Sequence, residues 1–158
     1  MKSTNIADIA AYERSSPGKT YCVFQKDISI ALGGKKYINP REPGHPFDLA
    51  WARVPAGCKN WPLHRHSAQW ELYYILEGEG RYFNGENWSA IKPGDAVLSE
   101  PGETHQIENP GPADLVYLVI ADTPVADSVF YPATGLTFVK PEWKLFKESA
   151  AGYYDGHE

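Results

Sequence analysis

The chain has 158 residues, enough for one domain with its own apolar core at the usual ~100–200 residues per domain. Its net charge of −5 is spread along the length without a basic stripe, which excludes an ordinary nucleic-acid surface, and no run nears the roughly 20 apolar residues of a membrane span. Thirteen prolines, fourteen glycines and 13% aromatic residues favour short strands joined by tight turns over a helical bundle.

Met1 to Asn5 leads into Asp8, Glu13 and Arg14 with no apolar stretch of signal-peptide type. Cys22 and Cys58 are too few for a disulfide framework and suit burial as small hydrophobes. A soluble, cytoplasmic protein is expected. Thr4 to Tyr12 carries a weak helical pattern, with Ile6, Ile9 and Ala10 on one face. Ser15-Ser16-Pro17-Gly18 then introduces two strands, Tyr21 to Phe24 and Ile28 to Leu32, before Pro40, Pro43, Gly44 and Pro46 break the chain. Residues 1–46 read as an extension that packs on the main body or on a partner subunit.

Residues 47–121 read as consecutive strands. Phe47 to Val54 ends at Pro55-Ala56-Gly57, and Leu72 to Leu76 ends at Glu77-Gly78-Glu79-Gly80. Arg81 to Phe83 meets Asn84-Gly85, whose tolerance of positive φ predicts a type I′ hairpin. Trp88 to Ile91, Ala96 to Ser99 and His105 to Glu108 each end at a proline–glycine turn, and Leu115 to Ala121 closes the set. Strands at roughly eight- to twelve-residue spacing predict an all-β closed barrel or sandwich. Residues 122–158 read as an irregular segment of the same domain, with one helical turn at Glu142 to Lys147.

Three of the five histidines fall in a telling pattern. His64 and His66 are two apart, so on a strand their rings share a face. Glu71 sits at an odd offset and joins that face only if Ser67 to Trp70 turn or bulge the chain. His105 opens a later strand. Three imidazoles and a carboxylate converging inside an apolar barrel suit a first-row divalent ion with positions left for substrate or water.

These residues resemble the two motifs of the cupin superfamily. Gly57, His64-Arg65-His66, Glu71 and Gly78 follow the first motif, with one extra residue before His64. Gly94, Gly102, His105 and Asn109 follow the second in register, with Glu100 where proline is usual and Pro101 beside it. The resemblance spans 57–109 and implies a single cupin barrel, a double-stranded β-helix or jelly roll. It also implies one divalent transition metal (Fe, Mn, Ni or Zn) on His64, His66, Glu71 and His105. A lone His-x-His is more often a surface pair, but the joint match with Glu71 and His105 sets that aside.

Tyr73 shares a face with Glu71 and is the nominee for a proton-transfer residue, or else a core tyrosine satisfied locally. Trp51 and Arg53 share a face of the preceding strand and supply substrate contacts if that face is the lumen, an aromatic platform and an anion-binding fork; if it is not, Arg53 is an ordinary surface charge. Trp61 and Trp70 bracket the first motif and line the mouth or an interface. His45, His157 and Cys58 fit no chemistry. The implied function is a metal-dependent enzyme of isomerase, epimerase or lyase type acting on a small polyol- or sugar-like molecule. The alternatives are an Fe(II) dioxygenase and a non-catalytic small-molecule binder.

Strand-like segments in the extension have no evident partners of their own, and pairing across a two-fold axis is a common remedy for open edges. A homodimer is therefore expected. Light scattering at micromolar concentration should give twice the chain mass, and a monomer mass would refute it.

Overall fold

A computed structural model describes residues 1–35, 45–147, 149, 152, 154 and 155. The described elements, in chain order, are β1 (Tyr12–Ser15), β2 (Cys22–Asp27), α1 (Ile28–Ala31), β3 (Phe47–Val54), β4 (Arg65–His66), β5 (Glu71–Glu77) and β6 (Gly80–Phe83). After them come β7 (Trp88–Ile91), β8 (Ala96–Ser99), β9 (Gln106–Glu108), β10 (Leu115–Asp122), β11 (Asp127–Tyr131), β12 (Leu136–Lys140) and β13 (Lys144–Lys147). One wall is a six-stranded sheet in the order β1-β2-β3-β10-β5-β8. Facing it are the sheets β7-β6-β9 and β13-β12-β11-β4. The fold is an all-β jelly-roll barrel, and among the described residues no helix is long and apolar enough to cross a membrane.

Both early expectations for the extension change. The helix over Thr4 to Tyr12 shrinks to a 3₁₀ turn at Ile6–Asp8, capped by the Asn5 side chain on the Ala7 N–H at 2.9 Å. Tyr12 instead enters β1 opposite Gln25. The strand expected at Ile28 to Leu32 is one helical turn, α1. Its β-branched residues are overruled by docking: the buried Ser29 hydroxyl donates to Asp48 at 3.0 Å and accepts the Leu49 N–H at 3.3 Å. The extension's strands also find partners within the chain, because β2 pairs with β3.

The core lies between the large sheet and the β7-β6-β9 sheet. Val23, Ala52, Val54, Tyr73, Ile75, Tyr82, Ile91, Ile107, Leu115 and Tyr117 form one buried cluster. Alternation along β3 turns Ala50, Ala52 and Val54 inward. Ala52 stands opposite Tyr117, whose ring fills the lumen at that level and admits only a small neighbour. Trp51 and Arg53 therefore face outward, away from the core, and are not placed to touch a substrate in the barrel. Arg53 donates to Asp114 at 2.6 Å and lies 4.2 Å from the Phe24 ring centroid, while Lys26 lies 5.6 Å from that of Trp51.

Residues 122–147 are not irregular. β11, β12 and β13 form a meander, and β11 pairs with β4 through Val129 and His66. The helical turn expected at Glu142 to Lys147 is strand β13 over its last four residues. The β6–β7 hairpin is present, but its loop runs over 84–87 and is no type I′ turn. The Asn84 side chain accepts the N–H groups of Glu86 and Asn87, and only Gly85 takes positive φ, at 94°. Gly78 has no substitute for a second reason. Its φ is +76°, and a Cβ there would lie 2.1 Å from the Asp114 carbonyl oxygen.

Candidate metal centre

Backbone pairing assembles the centre. His64 and His105 exchange N–H···O bonds with each other, at 2.8 and 3.3 Å, so their rings leave two adjacent chain segments side by side. His66 on β4 is held by β11 on one side, and its carbonyl accepts the Gly102 N–H at 2.7 Å. The chain leaves strand geometry over 67–70, which lets Glu71 open β5 on the inner face despite its odd offset. Donor atoms of His64, His66 and Glu71 all lie within 4.8 Å of one another. His64 Nε2 is 3.9 Å from Glu71 Oε2, and His66 Nε2 is 3.8 Å from Oε1. His105 stands outside that mutual set but adjoins it, its Nε2 2.9 Å from Glu71 Oε2.

Each imidazole is fixed from behind. Nδ1 of His64 lies 2.8 Å from the Pro62 carbonyl, that of His66 2.7 Å from Asp127 Oδ2, and that of His105 3.1 Å from the Glu103 carbonyl. These oxygens can only accept, so every Nδ1 carries a proton and Nε2 is the ring atom that each histidine turns inward. Burial lowers the His64 pKa to about 4, with His105 adding to the effect and Glu71 opposing it. Burial pushes the Glu71 carboxyl up, but the hydrogen bond from His105 and the neighbouring His66 and His64 rings outweigh it and hold it well below the usual range. With His105 Nδ1 protonated, its Nε2 and the carboxylate at 2.9 Å need a proton or a cation between them. A deprotonated N₃O donor set of this kind fits a divalent first-row ion.

Tyr73 is packed into the same wall. Its hydroxyl donates to Glu71 Oε2 at 2.7 Å and lies 3.4 Å from His105 Nε2. The residue is only 2% exposed, and burial followed by the Glu71 charge raises its pKa well above 10. Tyr82 stacks on His105 with an interplanar angle of 9°, and its hydroxyl bonds the buried Ser99. Of the flanking tryptophans, Trp61 packs partly into the core while Trp70 is exposed.

The cupin-domain family model matches residues 50–121. The oxalate-binding protein of Thermotoga maritima is 43% identical over 100 residues, which are 59% of this chain and 82% of that protein. The chain belongs to the cupin superfamily. Two solved cupin-fold structures superpose over nearly the full length. One is a candidate sugar phosphate isomerase from Acidithiobacillus ferrooxidans (TM-score 0.77, 21% identity, 93% of each chain covered). The other is a sugar phosphate isomerase from Silicibacter pomeroyi (TM-score 0.76, 17% identity, 96% and 97% covered). At those identities the likeness concerns the fold.

Asp127 and Lys140 were invisible from the sequence. Asp127 lies sixty-one positions from His66, past the second motif, and no local pattern marks it. In the fold its side chain has no exposure and is bonded by His66, by Ser67 Oγ at 3.2 Å, by the Ala68 N–H at 3.0 Å and by Lys140 Nζ at 3.2 Å. Burial would push this carboxyl up, yet the hydrogen bond from His66, with the Lys140 ammonium beside it, holds it well below the usual range. His157 falls outside the described residues.

Proposed function

We propose that this cupin holds one divalent transition metal on His64, His66, Glu71 and His105 and binds a small chelating oxygen ligand there, a dianion of the oxalate class. The observation that carries the reading is the inward Nε2 of each imidazole, fixed from behind through Nδ1 and gathered around the Glu71 carboxylate. The 43% identity to a protein named for oxalate binding supports the ligand class. The bound ion would supply Lewis-acid stabilisation of oxygen anions. Four protein ligands leave one or two positions for a bidentate molecule.

Glu71 is held ionised beside the histidines and is no general base. Tyr73 is read as a positioning residue for Glu71, since its single proton is committed to that carboxylate and its own ionisation is suppressed. That places binding ahead of the isomerase, epimerase or lyase reading, which needs a nearby side chain free to move a proton. In calorimetry, the Mn(II)-loaded chain should bind oxalate and the metal-stripped chain should not. No oxalate heat with the loaded chain would overturn the ligand class. Conversion of a ketose phosphate under nitrogen would restore the isomerase reading, and substrate-linked oxygen uptake by the Fe(II) form would point to the dioxygenase.

A further inference from the structure

The three histidines are not backed alike. His64 and His105 rest on neutral backbone carbonyls, those of Pro62 and Glu103, whereas His66 rests on the carboxylate of Asp127 at 2.7 Å. Asp127 is locked in turn. Ser67 Oγ and the Ala68 N–H hold its Oδ1, while its Oδ2 is shared between His66 and Lys140. Lys140 Nζ also reaches Gln69 Oε1 at 3.2 Å. Both Asp127 and Lys140 lie beyond residue 121, where the family match ends.

We infer that Asp127, on β11, positions His66 as the strongest nitrogen donor of the centre, and that Lys140 tempers it by sharing the same carboxylate oxygen. The inference rests on the reading of His64, His66, Glu71 and His105 as metal ligands. A carboxylate behind an imidazole does two things. It fixes the ring as the Nδ1–H tautomer, and it raises the electron density that the opposite nitrogen offers to an ion. A backbone carbonyl does the first and little of the second. Part of the metal centre of this chain is thus built by the strands that follow the cupin match.

The two flanking residues should respond with opposite sign, which a merely structural role would not produce. Asp127→Asn keeps the shape but removes the charge. Its amide can face Nδ1 with a donor only if the ring moves its proton to Nε2, which blocks ligation. Co(II) affinity of the full chain, by equilibrium dialysis, should fall about 10–100-fold in Asp127→Asn, with a change in the Co(II) visible spectrum. Lys140→Met frees the carboxylate and should tighten Co(II) about two- to fivefold, the range of a partly exposed ion pair. Independently of metal, long-range ¹H–¹⁵N correlation spectra of the metal-free chain should show His66 as the Nδ1–H tautomer in wild type and shifted from it in Asp127→Asn. His64 and His105 should stay unchanged. No Co(II) uptake by the wild-type chain would bring down the ligand reading itself. A wild-type chain that binds Co(II), with Asp127→Asn within twofold of it, with both variants weakened together, or with His66 protonated at Nε2, would overturn the role of Asp127 alone.

Discussion

Alanine at His66 or at His105 should strip the bound ion while leaving the barrel folded. Each substitution removes one of three nitrogen donors, and loss of a direct ligand should cost at least the upper end of what a backing residue costs, roughly 100-fold in affinity or more. The barrel survives because its stability comes from elsewhere. The buried cluster from Val23 to Tyr117 includes no histidine. The His64–His105 pairing is made by backbone atoms, which alanine retains. After His66→Ala, Asp127 still holds Lys140, Ser67 and the Ala68 N–H. At an ion concentration of about 100 times the dissociation constant, binding adds about 2.7 kcal/mol, so the metal-dependent part of Tm, roughly 5–10 °C, should vanish in both variants. Elemental analysis and thermal melts with and without chelator measure this directly. Full metal occupancy in both variants would refute the ligand assignment.

Acidification of the metal-free chain should expose the cost of burying a neutral imidazole. The His64 pKa falls to about 4 on folding from an ordinary 6.5. Between those values the unfolded chain binds a proton that the folded chain refuses, so stability drops as pH falls. The loss begins near pH 6.5 and amounts to about 3 kcal/mol by pH 4. Glu71 and Asp127, both held below the usual carboxylate range, act in the same direction only at lower pH: their contribution is intact above the unfolded pKa of about 4 and disappears as pH falls beneath it. Urea unfolding at pH 7 and at pH 4, compared between wild type and His64→Gln, isolates the histidine. The variant should lose about 3 kcal/mol less over that interval. Equal losses in the two proteins would place the pH dependence elsewhere.

The middle of the chain was legible because turn chemistry and alternation agree there. Gly78, Gly94 and Gly102 all adopt the positive φ that their motif positions imply, and β5 buries Tyr73 and Ile75 in alternation. β3 left its lumen face open, because the inward side carries the small Ala50, Ala52 and Val54 while the larger Trp51 and Arg53 form the outer face. β12 and β13 escaped notice because neither alternates: one is half-buried throughout and the other fully exposed. At the candidate centre, His64, His66, Glu71 and His105 declared themselves by spacing. Asp127 did not, since a long-range partner leaves no trace in neighbouring residues.

The strand order of the large sheet has a consequence for how the chain is made. β10 lies between β3 and β5, pairing with β3 along its whole length. While a ribosome is still adding residues, the facing edges of β3 and β5 therefore wait, open, for a strand not yet synthesised. At about 5–20 residues per second that wait is on the order of seconds, and such non-local ladders also close slowly once complete. His66 waits longer still, because β11 must emerge before Asp127 can turn its ring. The contact between Asp127 and His66 is then made only after β11 has been synthesised, and a nascent chain stalled before residue 122 would present two unpaired edges to chaperones or to its neighbours on a polysome.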